Sequence, residues 1–377
     1  MNPNYITMVH IADIHFGCVN PEEEMKILQE QFLDPISRIS FDILAIDGDL
    51  FDRRFSANNP AITYAIEFIN KCAMLCVMRN ATLFLIGGTE SHDAGQLSLF
   101  YTLHDATGCD MRIIEHAQFQ YVKGLKILCL PEEYGKGIDY YENFLKQIYD
   151  MVFMHGTLVG GIPGATQEDL NARREPVFSI DSFSGCKGPI ISGHVHTAMC
   201  LQQHMYYLSS PIRWRFGEEA EKGYAIVLLD RNTYRYDYNF MPINSFIYKT
   251  IGINDLSSTD PNAIIDYLNK LKASGVDYIR LNCTGLYPYQ VSILAKYVRE
   301  HANSGIKLQN VVTQSTNGEL ISAEVNTEEA NKLDGPLAQI LLNDSLDEYT
   351  KFVMYLNLNE GDEYMTVDRL KKLLSDS

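Results

Sequence analysis

Five apolar runs of strand length, each leading into an aspartate or a histidine, constrain this chain more than any other feature. The clearest is Phe41-Asp42-Ile43-Leu44-Ala45-Ile46-Asp47-Gly48-Asp49-Leu50-Phe51-Asp52, a buried-strand pattern that runs straight into a carboxylate-bearing turn. A strand of this kind places Asp49 at the carboxyl edge of a sheet, where open α/β sheets hold their ligands. One Asp after one strand says little, because turns favour Gly and Asp for conformational reasons alone. The same order recurs four more times, however. Thr7 to His15 brings Asp13 and His15, and Leu83 to Asp93 brings Gly87-Gly88-Thr89-Glu90-Ser91-His92-Asp93. Val152 to Gly156 brings His155, and Pro189 to His196 brings His194 and His196.

The rest of the chain reads as helices and strands around these edges. Pro21 to Ile39 reads as a helix with acidic residues in its first turn, where they suit the helix dipole. Pro60 to Met78 is a second helix with Ile62, Ala65, Ile66, Ile69, Ala73 and Leu75 at helical spacing. Residues 94 to 109 read as helical, Gln120 to Leu130 as a hairpin turning at Lys123-Gly124, and Tyr140 to Asp150 as a short helix. Between Gly160 and Gly188 the pattern loses periodicity, as a long loop or lid would. Met205 to Leu208, Tyr224 to Leu229 and Thr233 to Tyr238 then read as the closing strands of a sandwich.

From Ser245 the pattern restarts as strand, helix (Asp260 to Ala273), strand (Asp277 to Cys283), helix (Pro288 to Asn303) and strand (Lys307 to Thr313). The domain expectation is therefore 1–243, an α+β module over 244–326, and a helical, acidic tail over 327–377. Leu337, Ile340, Leu341, Phe352, Tyr355 and Leu356 give the tail apolar anchors, which suit docking onto a partner and equally suit folding back on its own domain. A length of 377 residues agrees with more than one core. No apolar run is expected to reach membrane-span length and no charged-then-apolar leader is visible, so the expected location is cytoplasmic. The eight cysteines contain no C-x-x-C pair and read as reduced and structural.

Taken together, D-x-H, G-D-x-x-D, an H-D turn, H-G and G-H-x-H in this order resemble the calcineurin-like metallophosphoesterases. His10 to Gly17, together with Ser209-Ser210-Pro211 and Glu219-Ala220-Glu221-Lys222-Gly223-Tyr224, resemble the SbcD-type nucleases among them. The resemblance implies an α/β fold, a metallophosphoesterase β-sandwich flanked by helices, followed by a DNA-capping domain. It implies a metal-dependent DNA exonuclease and endonuclease acting in end processing and recombination, as a homodimer with an SbcC-type, SMC-like ATPase and without a membrane. By resemblance Asp13, His15, Asp49 and His196 hold one divalent metal, and Asp49, His155 and His194 hold the other. His92 stands outside the metals, beside the leaving oxygen, where an imidazole can serve as general acid. Histidine-rich ligation favours Mn²⁺, Zn²⁺ or Fe²⁺ over Mg²⁺, and Mn²⁺ is the expected pair.

The third segment departs from the pattern. The family has G-N-H-D or G-N-H-E, with the Asn amide oxygen on the second metal, whereas Gly88-Thr89-Glu90-Ser91-His92-Asp93 inserts two residues and lacks the Asn. Ser91 or Glu90 is the expected replacement, with Thr89 also able to face the metal. A net charge of −17 sits awkwardly with DNA. Arg53, Arg54 and Arg213 are candidate substrate contacts, with Arg173-Arg174 and Arg215 also near motif segments, although arginines in such patterns more often form a solvated face. A phosphodiesterase or phosphatase acting on a small nucleotide, and a non-catalytic scaffold subunit, are the competing readings, because fold and metal chemistry do not separate them.

Overall fold

The structure, a computed structural model, describes residues 4–93, 95–161, 175–202, 204–301, 304–314 and 320–325. The first part of the chain supplies β1 (Tyr5–Ile11), β2 (Ile43–Asp47), β3 (Thr82–Ile86), β4 (Asp110–Ile114), β5 (Gln118–Val122), β6 (Leu125–Leu130) and β7 (Met151–His155). A short pair follows, β8 (Thr157–Leu158) and β9 (Val177–Phe178), and then β10 (Ile190–Gly193), β11 (Met199–Gln202), β12 (Met205–Tyr207), β13 (Lys222–Asp230) and β14 (Tyr236–Ile243). These build two six-stranded sheets, ordered β14-β13-β1-β2-β3-β4 and β11-β12-β10-β7-β6-β5. β1 to β4 pair in parallel, and so do β6, β7, β10 and β12. Their carboxyl ends therefore collect along one side of each sheet.

Side chains alternate along a strand, so each of the unbroken apolar runs feeds two cores. Ile6, Met8, Ile43, Ala45, Phe84 and Ile86 face the second sheet and meet Ile127, Cys129, Met151, Phe153 and Ile191. Val9, Ile11, Leu44, Ile46, Leu83 and Leu85 face the other way, against Met25, Leu28, Phe68 and Ile69 of the helices Pro21–Leu28 and Pro60–Arg79. The helix Ile138–Leu145 packs Tyr141 and Leu145 on the far face of the second sheet. The expected α/β sandwich flanked by helices is what forms.

Local chemistry explains the helix ends and one irregularity. Asn59 caps the helix Pro60–Arg79 by accepting from the Ala61 amide, and Asn80 ends it at φ 51°, a left-handed residue that Asn tolerates. This helix is long and apolar enough to cross a membrane by length and composition, contrary to the expectation that no run reaches that length. Ala65, Phe68, Ile69, Cys72 and Cys76 are buried along it, as in a helix packed on a sheet. The expected helix from Pro21 forms with a π-helical turn, Gln29–Leu33, in which the Asp34 amide donates to Gln29 O. Pro35 follows at once and has no amide to give, so the turn widens where a regular ladder would clash with the ring. The 94–109 segment forms a 3₁₀ turn, Leu97–Phe100, and the helix Tyr101–Thr107. The hairpin turns at Lys123 and Gly124, φ 52° and 80°, as a two-residue loop requires.

The chain divides into two compact units between Phe246 and Ile247. The second unit contains β15 (Tyr248–Ile251), the helix Pro261–Ala273, β16 (Tyr278–Asn282), the helix Pro288–Glu300, β17 (Ile306–Gln314) and β18 (Leu320–Val325). Its sheet runs β15-β16-β17-β18 over a core that includes Ile251, Ile264, Leu268, Ile279, Leu281 and Leu294. The expected helical tail over 327–377 lies outside the described residues, as do Arg173 and Arg174.

Candidate metal centre

Seven acidic and imidazole side chains converge where the parallel strands of the two sheets end. Asp13 and His15 follow β1, Asp49 follows β2, Glu132 follows β6, His155 ends β7, and His194 and His196 follow β10. Past the strands, β1 and β2 stay paired: the Asp13 amide donates to Gly48 O at 3.0 Å, His15 to Asp49 O at 3.0 Å and Phe16 to Leu50 O at 2.9 Å. Within this frame Asp13, His15, Asp49 and His196 form one group of possible ligands, and Glu132, His155 and His194 a second. One atom stands between them. Asp49 Oδ2 lies 3.4 Å from His15 Nε2 in the first group and 3.3 Å from His155 Nε2 in the second.

The backbone is bent to make this possible. Asp13, His15, Asp49, His194 and His196 all have positive φ, at 54°, 56°, 51°, 98° and 61°, a region that non-glycine residues seldom adopt and that concentrates at functional sites. Gly48, at φ +90°, also leaves room for the imidazole beside it, since a Cβ there would stand 2.1 Å from His155 Nδ1. His155 Nδ1 donates to Asp47 O at 2.8 Å, which turns Nε2 toward Asp49 Oδ2, with Asp13 Oδ1 and Glu132 Oε2 each 4.0 Å away. Asp13 is held by the His194 amide, at 2.9 and 3.1 Å to its two oxygens.

Burial sets the protonation. It pushes the His15 imidazole down to about 3 and the His196 imidazole down to about 2, so both present lone pairs at neutral pH, as ligands must. It pushes the Asp13 carboxyl up to about 7, with neighbouring Asp49 adding to the rise against the pull of His155. Burial would raise Asp49 too, but the imidazoles of His155, His15 and His92 outweigh it and hold that carboxyl below its ordinary value. For His155, burial disfavours charge, yet Asp49, Asp13 and Glu132 together raise its pKa well above the ordinary value. The ring nitrogens of His15 and Nε2 of His155 are buried without a hydrogen-bond partner. Buried imidazole nitrogens and carboxylates facing one another across 3.3 to 4.0 Å call for a cation among them. The donor set therefore fits divalent metals with a taste for imidazole.

Of the three residues named for the third turn, Thr89 rather than Glu90 or Ser91 faces the centre. Glu90 and Ser91 are exposed and belong to neither group. Thr89 is the residue that touches the centre, its amide donating to Asp49 Oδ1 at 2.6 Å and its hydroxyl to Oδ2 at 3.2 Å. Asp93 ties the turn to β2, accepting from the amides of Gly88, Leu50 and Phe51 at 3.0, 3.3 and 3.1 Å. His92 bonds through Nδ1 to Asp52 O and packs edge-on to His15 at 4.7 Å, beside the first group. The carbonyl can only accept, so Nδ1 carries the hydrogen and Nε2 is left for other work.

Sequence reasoning missed Glu132, whose side chain is fully buried with Oε2 3.0 Å from His194 Nδ1. Its signal was present: Ile127-Leu128-Cys129-Leu130-Pro131-Glu132 is another apolar strand ending in a carboxylate, read only as a hairpin arm. Trp214 was missed as well. This sole tryptophan of the chain lies against His15 and His196, ring centroids 4.5 and 4.6 Å away. Lys222 steadies the same corner, its buried ammonium donating to His196 O at 3.0 Å and Ser210 Oγ at 2.9 Å.

Of the candidate arginines, Arg53 is exposed and paired with Asp52 at 2.8 Å, and Arg54 is exposed. Arg213 spends its guanidinium on Glu218 O and Ala220 O, both at 3.0 Å. The remaining histidines lie outside both groups. Among them, His10 is buried against Asp47 at 2.7 Å.

No family model matches the chain. It is 24% identical over 266 residues to "Putative phosphoesterase 078R" of Invertebrate iridescent virus 3, covering 66% of this chain and 70% of that protein. It is 22% identical over 229 residues to "Putative phosphoesterase 244L" of Invertebrate iridescent virus 6, covering 59% and 76%. Among solved structures, the cold-active protein-tyrosine phosphatase of a psychrophilic Shewanella sp. matches with a TM-score of 0.29 at 9% identity, over 63% of this chain and 80% of that one, too slight a likeness to carry an argument. The two viral relatives support a phosphoesterase-type fold for this chain.

Proposed function

We propose that this chain is a two-metal phosphodiesterase whose substrate is DNA, an SbcD-type nuclease in its chemistry. The observation that carries the reading is the position of Asp49 Oδ2, 3.4 and 3.3 Å from one imidazole of each ligand group, the place of a bridging carboxylate. Phosphoester hydrolysis is also what the names of the two viral relatives indicate. Asp13, His15, Asp49 and His196 would hold one cation, and Asp49, His155 and His194 the other. Such a pair supplies Lewis acidity for a water nucleophile and counter-charge for the phosphate oxygens.

The chain's own residues do the rest. Thr89 fixes both oxygens of Asp49, so the bridge cannot rotate away. Asp52 O holds the His92 ring by Nδ1, leaving Nε2 to deliver a proton to the departing oxygen. DNA is the substrate on two grounds: the motif resemblance, and the additional α/β unit from Ile247, for which a hydrolase of small nucleotides has no need. In this reading residues 244–326 cap the DNA, and the segment 327–377 docks an SbcC-type ATPase that supplies the DNA affinity a chain of charge −17 lacks.

The test is a cleavage assay on linear duplex DNA and on cyclic nucleotides, with Mn²⁺ and with Mg²⁺. DNA degradation with Mn²⁺ and near inertness with Mg²⁺ are expected, because imidazoles dominate the donor set. Turnover of cyclic nucleotides alone would replace the substrate class, and activity with Mg²⁺ equal to that with Mn²⁺ would overturn the ligand assignment.

A further inference from the structure

We infer that Glu132 is the ligand that completes the second metal site, in place of the neutral amide oxygen that the third turn lacks. This rests on the two-metal reading of the centre and specifies its composition. The turn that should carry an amide offers exposed Glu90 and Ser91 instead, and its inward residue, Thr89, is occupied with Asp49. Glu132 arrives from a different strand. Pro131 ends β6 without an amide to extend the ladder, and the next side chain enters the centre with none of its surface exposed. Oε2 stands 3.0 Å from His194 Nδ1 and 4.0 Å from His155 Nε2. His155 Nε2 is itself buried, without a hydrogen-bond partner, and aimed into the same space.

The consequence is a centre of matched halves. Each site has two imidazoles, one carboxylate of its own (Asp13 or Glu132) and a share of Asp49. An anionic oxygen in place of an amide binds a divalent cation more strongly and drains more of its Lewis acidity. The second site should therefore hold its metal as firmly as the first, rather than being the weaker, readily emptied partner.

Metal occupancy tests this without any assay of turnover, and Trp214 reports on one site alone because it packs on His15 and His196 of the first group. Metal-free protein is titrated with MnCl₂, following bound Mn²⁺ by equilibrium dialysis and Trp214 fluorescence in parallel, for wild type, Glu132→Ala, Glu132→Gln, Glu90→Ala and Ser91→Ala. Wild type should take up two equivalents with similar affinities. Glu132→Ala should take up one, with the fluorescence response intact. The isosteric Glu132→Gln guards against a folding defect and should keep the second metal at an affinity lowered by at least the ~10- to 100-fold that loss of an outer hydrogen-bond partner costs. Glu90→Ala and Ser91→Ala should match wild type. Two equivalents at wild-type affinity in both Glu132 variants, or loss of one in the Glu90 or Ser91 variant, would overturn the assignment while leaving the two-metal reading in place. No uptake by wild type would end both.

Discussion

His92 and Glu24 show how differently two side chains near the same turns can matter. His92 touches the centre through ring packing on His15, with its Nδ1 tied to a carbonyl. His92→Ala should take up both metals as wild type does and cleave DNA about 10²- to 10⁴-fold more slowly; if raising Mn²⁺ restores the rate, His92 is a ligand. Glu24 is buried in the first helix, with Gly17 N 3.4 Å from Oε2 and no partner for Oε1. Burial, reinforced by Asp52 but opposed by the Gly17 amide, raises its carboxyl well above the ordinary value. The folded state thus holds this proton more tightly than the unfolded chain does. Stability falls as pH climbs above the unfolded value, ~4.3, and goes on falling until the folded pKa is passed. Glu24→Gln should remove that fall. Thermal melts of both proteins at pH 5 and pH 8 should show the variant's advantage larger at pH 8, and an advantage larger at pH 5 would contradict the argument.

At the scale of strands and turns, the tightest requirement is Gly48. Alanine there must adopt a left-handed backbone, costing ~1–2 kcal/mol, and must also push the His155 ring aside. Gly48→Ala should lower the urea midpoint and lose one equivalent of bound Mn²⁺, by urea melts and dialysis against Mn²⁺; unchanged values in both would show that His155 is not seated by this turn. This also marks what the sequence made legible. Strands ending at Ile11, Asp47, Ile86, His155 and Gly193 could be read because each is a mainly apolar run that leads into a turn bearing an aspartate or a histidine. Glu132 escaped because Lys126 and the Lys123-Gly124 turn gave its strand the look of a hairpin arm, and hairpins suggest solvent. The third turn escaped for another reason: spacing counts residues but does not say which of Thr89, Glu90 and Ser91 points inward. The widened turn at Gln29–Leu33 depends on one missing amide, at Pro35, which a periodicity of apolar residues does not register.

On the scale of the whole molecule, the two sheets of the sandwich meet along the core that joins Phe84 to Phe153, and the candidate ligands sit at one end of that seam. Asp13, His15 and Asp49 belong to the first sheet, while Glu132, His155, His194 and His196 belong to the second. Neither ligand group is confined to one sheet: His196 crosses into the first, and Asp49 reaches the second. Cations held there would act as rivets through both layers at one mouth of the sandwich, while the other mouth is joined by hydrophobic contact and by hydrogen bonds such as Lys187 Nζ to the Tyr234 hydroxyl at 3.0 Å. Stripping them with a chelator should then loosen the molecule at one end. Amide hydrogen exchange should quicken at the carboxyl ends of β1, β2, β7 and β10 and hold steady around the Lys123-Gly124 turn, and a uniform rise across both ends would show that the rivets do not exist. A protein so fastened would carry its phosphoesterase chemistry and its mechanical stiffness in the same few side chains.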